Sequence, residues 1–61
     1  MEEHYLKVDE VAERLNVSKM TVYRLIHSGG IECFKAGPRA FRIPARALNE
    51  YIENRTRGRN G

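Results

Sequence analysis

The sequence predicts a small α+β domain, mostly α-helical, and three features of its patterning predict it. Apolar residues recur at helical spacing in two stretches near the start, two strand-like runs flank a glycine-proline turn, and a further helical stripe follows. Sixty-one residues leave room for one domain with a thin core, close to the lower limit for a chain that folds without staples.

Tyr5-Leu6-Lys7 reads as an extended lead-in that brings Leu6 onto the core. Val8, Val11, Ala12 and Leu15 then fall at i, i+3, i+4 and i+7, the stripe of an amphipathic helix. Asp9 and Glu10 sit in its first turn, where negative charge suits the helix dipole, although Lys7 is a poor N-cap. Asn16-Val17 breaks the stripe, and Ser18 opens a second helix by offering its hydroxyl to the free first-turn amides. Val17 and Val22 stand at N′ and N4, the spacing of a hydrophobic staple. Val22, Leu25 and Ile26 face inward, with Lys19, Met20, Tyr23, Arg24 and His27 largely on the other side. Gly29-Gly30 ends the helix.

Residues 31–35 and 40–43 read as the strands of a hairpin around Ala36-Gly37-Pro38-Arg39. Phe41 and Ile43 alternate with Arg42, so this strand buries two apolar groups and presents an arginine to solvent. Pro44 starts a third helix, with Ala45, Leu48, Tyr51 and Ile52 along one side. From Arg55 onward nothing apolar anchors the chain. The predicted organisation is a domain over residues 1–54 and a disordered basic tail over 55–61.

Composition narrows the function classes. Cys33 is the only cysteine, which rules out an intramolecular disulfide, and with His4 and His27 it makes no zinc-ligand spacing. It reads as a small buried apolar residue. No carboxylate pair, phosphate loop or nucleophile–base set is present, so neither catalysis nor a cofactor is expected. No apolar run is long enough for a membrane span or a secretion signal, and the expected setting is the cytoplasm.

Charge is unevenly placed. Residues 1–17 hold Glu2, Glu3, Asp9, Glu10 and Glu13 against Lys7 and Arg14, a balance of −3. Residues 18–46 hold Lys19, Arg24, Lys35, Arg39, Arg42 and Arg46 against Glu32 alone, a balance of +5. A basic middle after an acidic start suggests an oriented face for a polyanion.

Two short helices joined by a tight turn make the helix-turn-helix, in which the second helix enters the DNA major groove. On that helix Ser18 and Thr21 suit phosphate or base edges, Lys19 and Arg24 carry charge, and Tyr23 offers a ring. Met20 and His27 complete the exposed face. Gly37 and Arg39 at the hairpin tip, with Lys35 and Arg42 on its sides, form a basic finger for a minor groove. Arg46, Arg55, Arg57 and Arg59 are further candidates for phosphate. Together these features describe a winged helix-turn-helix with a two-stranded wing and a C-terminal helix. Its expected partner is double-stranded DNA, with no membrane and no small-molecule ligand.

Residues 11–29, from Val11-Ala12-Glu13-Arg14-Leu15 through Ser28-Gly29, resemble the helix-turn-helix of excisionase-type proteins, and Gly37-Pro38-Arg39-Ala40-Phe41-Arg42-Ile43-Pro44 resembles the wing of the same family. The resemblance covers roughly residues 5–53 and implies a MerR-like winged helix-turn-helix. It implies that Ser18 to Arg24 read the major groove while Arg39 and Arg42 serve the wing. It further implies an architectural factor in a bacterial host cell, a phage excisionase (recombination directionality factor) that bends attachment-site DNA and directs an integrase toward excision. A small transcriptional regulator and a protein-interaction module with a basic face are the alternatives. The chain stops before the dimerisation helix and effector domain of full MerR-type regulators, and one module buries only about 600–1,000 Å² on DNA, so adjacent copies are expected to bind side by side.

Overall fold

The computed structural model describes residues 4–60. Chain order runs β1 (Tyr5–Lys7), α1 (Val8–Leu15), α2 (Lys19–His27), β2 (Phe34–Gly37), β3 (Ala40–Pro44) and α3 (Ala45–Asn60). The strands form an antiparallel sheet in the order β1-β3-β2. The expected α+β winged helix-turn-helix is therefore present, but its sheet has three strands instead of two. The extra strand is the lead-in.

β1 alternates as a half-buried strand must, with Leu6 inward and Tyr5 and Lys7 outward. Leu6 stands opposite Ile43, and both are wholly buried. Beyond the ladder, the Ala45 amide donates to the His4 carbonyl at 2.8 Å, so the start of α3 is tied to the start of the chain. α1 follows β1 with no intervening loop. Lys7 supplies no cap, and Glu10 reaches back instead, its Oε1 accepting the Lys7 amide at 2.8 Å.

The hairpin departs from its expected bounds. Ile31 is buried but lies outside the strand, and β2 begins at Phe34. Phe34 opposes Arg42 and Lys35 opposes Phe41; the register then shifts, so that Gly37 opposes Ala40 and Ala36 forms a bulge. The turn is reduced to Pro38-Arg39. Arg42 is half-buried rather than free in solvent, and its guanidinium donates to the Phe41 carbonyl at 3.0 Å. Pro44 closes β3 instead of opening the helix, a strand-end position where its missing N–H is tolerated.

The first two helices end alike. Asn16 takes a left-handed φ of 60°, with its amide on the Glu13 carbonyl (3.2 Å) and the Val17 amide on Ala12 (3.0 Å). Gly29 takes a φ of 78°, with its amide on Ile26 (3.1 Å) and the Gly30 amide on Leu25 (2.9 Å). This paired closure satisfies carbonyls that a helix end would leave orphaned.

Every element except β2 contributes to one core, which Ile31 joins from the segment before β2: Leu6, Val8, Val11, Ala12, Val22, Ile26, Ile31, Ile43, Ala47 and Leu48. Tyr51 packs against its edge, whereas Ile52, expected on the same side, is exposed. The expected disordered tail begins at Arg55, whereas the backbone of α3 is helical to Asn60. A helix already nucleated gains one hydrogen bond per added residue, and arginine is a good helix former. Thr56 adds a local bond, its hydroxyl donating to the Ile52 carbonyl at 3.0 Å. No helix among the described residues is long and apolar enough to cross a membrane.

Two substitutions test this account by urea or thermal melts. Val22→Ala or Ile26→Ala is expected to cost about 1–4 kcal/mol, and a melt matching the parent would reverse the assigned faces of α2. At the left-handed position, Asn16→Val is expected to cost about 1–2 kcal/mol while Asn16→Gly is tolerated. Equal melts for the two would remove the conformational argument.

Candidate nucleic-acid interface

The orientation of α2 is set at its first turn. Ser18 is the N-cap, its Oγ accepting the Thr21 amide at 3.2 Å and lying 3.1 Å from the Thr21 hydroxyl. Both hydroxyls are thus engaged with each other while remaining at the surface. Val22 and Ile26 anchor the opposite face in the core. Lys19, Tyr23 and His27 recur at i, i+4 and i+8 and run along the side of α2 that faces the wing. Met20 is the most exposed large apolar side chain, at 61%. Tyr23, expected on the outer side, is half-buried with its ring edge-on to Phe41 at 6.1 Å.

Where α2 meets the wing, the surface forms a concave notch of about 280 Å³. Lys7, Lys19, Arg39 and Arg42 line it with Asp9, on a floor that includes Tyr23 and Phe41. Four cations thus face one carboxylate. Among the described residues Lys7, Lys19 and Arg39 make no ion pair. Lys7 stands directly opposite Arg42 in the strand register, a like-charge placement that opposes folding. A second hollow of about 380 Å³ adjoins the first, lined by Tyr23, His27, Lys35, Pro38, Arg39 and Phe41. Two helix positions and two wing positions from the expected set therefore share one notch, and Lys35 and His27 join the next.

Other expected residues go elsewhere. Thr21 and Arg24 line a cleft of about 420 Å³ on the far side of α2, with Leu15, Val17, Leu25, Tyr51 and Arg55. Arg55 is held there, donating to the Tyr51 hydroxyl at 3.2 Å with its guanidinium 5.6 Å from the ring centre. Arg46 forms a two-pronged pair with Glu32, both bonds 2.9 Å, which holds the Glu32 carboxyl below its usual range. Gly37 is half-buried at the wing tip. The side chains of Arg57 and Arg59 lie outside the described residues.

Lys7, Asp9 and Phe41 were not foreseen as site residues. The alternation of Leu6, Lys7 and Val8 carried a weak signal, since Lys7 is the exposed member between two buried ones. Its position in the site depends on strand pairing with a segment far along the chain. Cys33 is half-buried, and burial pushes its thiol up, which keeps it protonated. Among the described residues no group of three or more His, Cys, Asp or Glu side chains could hold a metal ion.

The helix-turn-helix domain family matches residues 5–56. Two curated proteins of Mycobacterium tuberculosis, from strains CDC 1551 and H37Rv, each bear the name "Putative DNA-binding protein" and are 48% identical to this chain over 48 residues. The match covers 79% of this chain and 60% of each relative, so it spans less than two thirds of their length. No solved structure matches significantly. By the extent of the first match, the chain belongs to the helix-turn-helix domain family.

Proposed function

We propose that the chain binds duplex DNA, with α2 in the major groove and the wing tip in the adjacent minor groove. The observation that carries this reading is the four-cation notch at the junction of α2 and the wing. Like charges that repel in the free protein bind a phosphate placed between them, and charge-assisted bonds to phosphate fix a protein's register on the duplex. The names of the Mycobacterium tuberculosis relatives support the same partner. Met20 and Arg24, on the outward side of α2, are the proposed readers of base edges.

The finer reading is an architectural factor of the excisionase kind. Adjacent copies occupy neighbouring sites, bend the DNA and direct an integrase toward excision, with no chemistry of their own. Its support is the resemblance of residues 11–29 and 37–44 and the small footprint of one module.

Fluorescence anisotropy with a duplex selected in vitro by the parent protein tests the DNA reading. Lys7→Ala and Lys19→Ala are each expected to weaken binding on every duplex and to lower the salt slope by about one unit, with no loss of thermal stability, since each removes repulsion from the free domain. Unaltered slopes in both would remove the notch from the interface. Arg39→Ala is expected to lose most affinity on sites with narrow A·T-rich flanks, and Arg39→Lys to recover only part.

The architectural reading has its own test, a titration of single and tandem sites with bending followed by energy transfer between the DNA ends. Cooperative filling with bending is expected. Independent filling of straight DNA would leave a small transcriptional regulator as the better description.

A further inference from the structure

The two elements assigned to DNA are separate in sequence, and both reach the shared core, α2 through Val22 and Ile26 and the wing through Ile43. Among the described residues no hydrogen bond or ion pair joins α2 to the hairpin. Outside that core, what joins them is a cluster of rings on Phe41. Tyr23 meets that ring edge-on at 6.1 Å and 71°, and His27 meets it edge-on at 6.1 Å and 84°. Tyr23 and His27 are one helical turn apart, so a single side chain on β3 grips α2 at two points along its length. From the wing's other strand, Lys35, which opposes Phe41 in the register, places its Nζ 5.9 Å from the same ring centre.

We propose that Phe41 is the positioning residue that sets the distance and angle between the recognition helix and the wing. It does not itself need to touch DNA. Two edge contacts at different heights on a helix fix both separation and tilt, which one contact could not do. Edge-to-face geometry is also directional, so an aliphatic side chain of similar bulk would fill the space without holding the angle. The same ring forms part of the floor of both basic hollows. A shift of Phe41 therefore moves Arg39 relative to Lys19 and changes the groove-to-groove span that the protein can bridge. The use of this geometry rests on the DNA-binding reading above; the geometry itself does not.

Two arms separate those questions. In the first, backbone ¹⁵N relaxation is measured on the full chain without DNA. Phe41→Leu is expected to raise fast motion across residues 36–40 while β1 and the first two helices keep parent values. Phe41→Tyr, which keeps the ring, is expected to restore the parent profile. Should Phe41→Leu fail to fold, His27→Ala removes one of the two grips from an exposed position and is expected to loosen the same residues. A wing as rigid as the parent's in a folded Phe41→Leu or His27→Ala would overturn the proposal whatever the protein binds.

The second arm is a double-mutant cycle on the in-vitro-selected duplex. Arg39→Ala is expected to weaken parent binding about tenfold and to have almost no effect in the Phe41→Leu background, because the wing is already out of register. Full additivity of the two losses, or a Phe41→Tyr protein as weak as Phe41→Leu, would overturn the positioning role. If the parent selects no duplex, the DNA-binding reading falls and the relaxation arm still decides the role of Phe41.

Discussion

The pairing of Leu6 with Ile43 is the contact on which the remaining geometry depends. It joins the third residue of the described chain to the central strand of the wing, and both side chains are removed entirely from water. Because α1 follows β1 directly, this pairing also fixes where α1 begins. α1 then directs α2 through the three-residue connection Asn16-Val17-Ser18, and the bond from Ala45 to His4 places α3. Burying two large aliphatic side chains supplies about 3–6 kcal/mol of transfer free energy. That is a large share for a domain with ten buried core residues among those described.

Polar chemistry is confined to the surface. No polar or charged residue is buried among the described residues, and no buried side-chain polar atom lacks a partner. The surface charges divide into two kinds. The Glu32–Arg46 pair lies at the surface, about half exposed on each side, and exposed pairs of that kind add little to stability. Its effect is to commit Arg46 to a neighbour in the same chain. Among the described residues Lys7, Lys19 and Arg39 have no such neighbour, and the fold brings them together in one notch. A cluster of unpaired cations is a cost to the free domain that an anion removes.

Much of this was legible in the sequence where the signal was local. The stripe of Val8, Val11 and Ala12, the Ser18 cap and the Gly29 stop each depend on residues within one turn of one another, and each stands where the pattern put it. What was not legible depends on contacts distant in sequence. The three residues of β1 give only a weak alternation, and their partners are residues 42–44, so the sequence does not bring Lys7 to the candidate site. Phe41 was recognised as apolar, but which helix its ring would meet is decided only when α2 docks on the hairpin. The partnership of Arg46 with Glu32 spans 14 residues and was hidden for the same reason. The end of α3 is not legible either, because the absence of apolar anchors says little about a helix that is already growing.

The bulge at Ala36 bears on how this protein behaves in a crowd. A three-stranded sheet has two open edges, and an open edge is a template for joining another chain strand to strand. Here one edge, β1, is three residues long, and the other, β2, is interrupted by the bulge between Lys35 and Gly37. A bulge twists the strand and breaks the even spacing of its free amides, and a lysine beside it adds repulsion between like edges. Copies packed closely together are thereby kept from fusing through their sheets into aggregates, and any association between them must use helices or side chains instead.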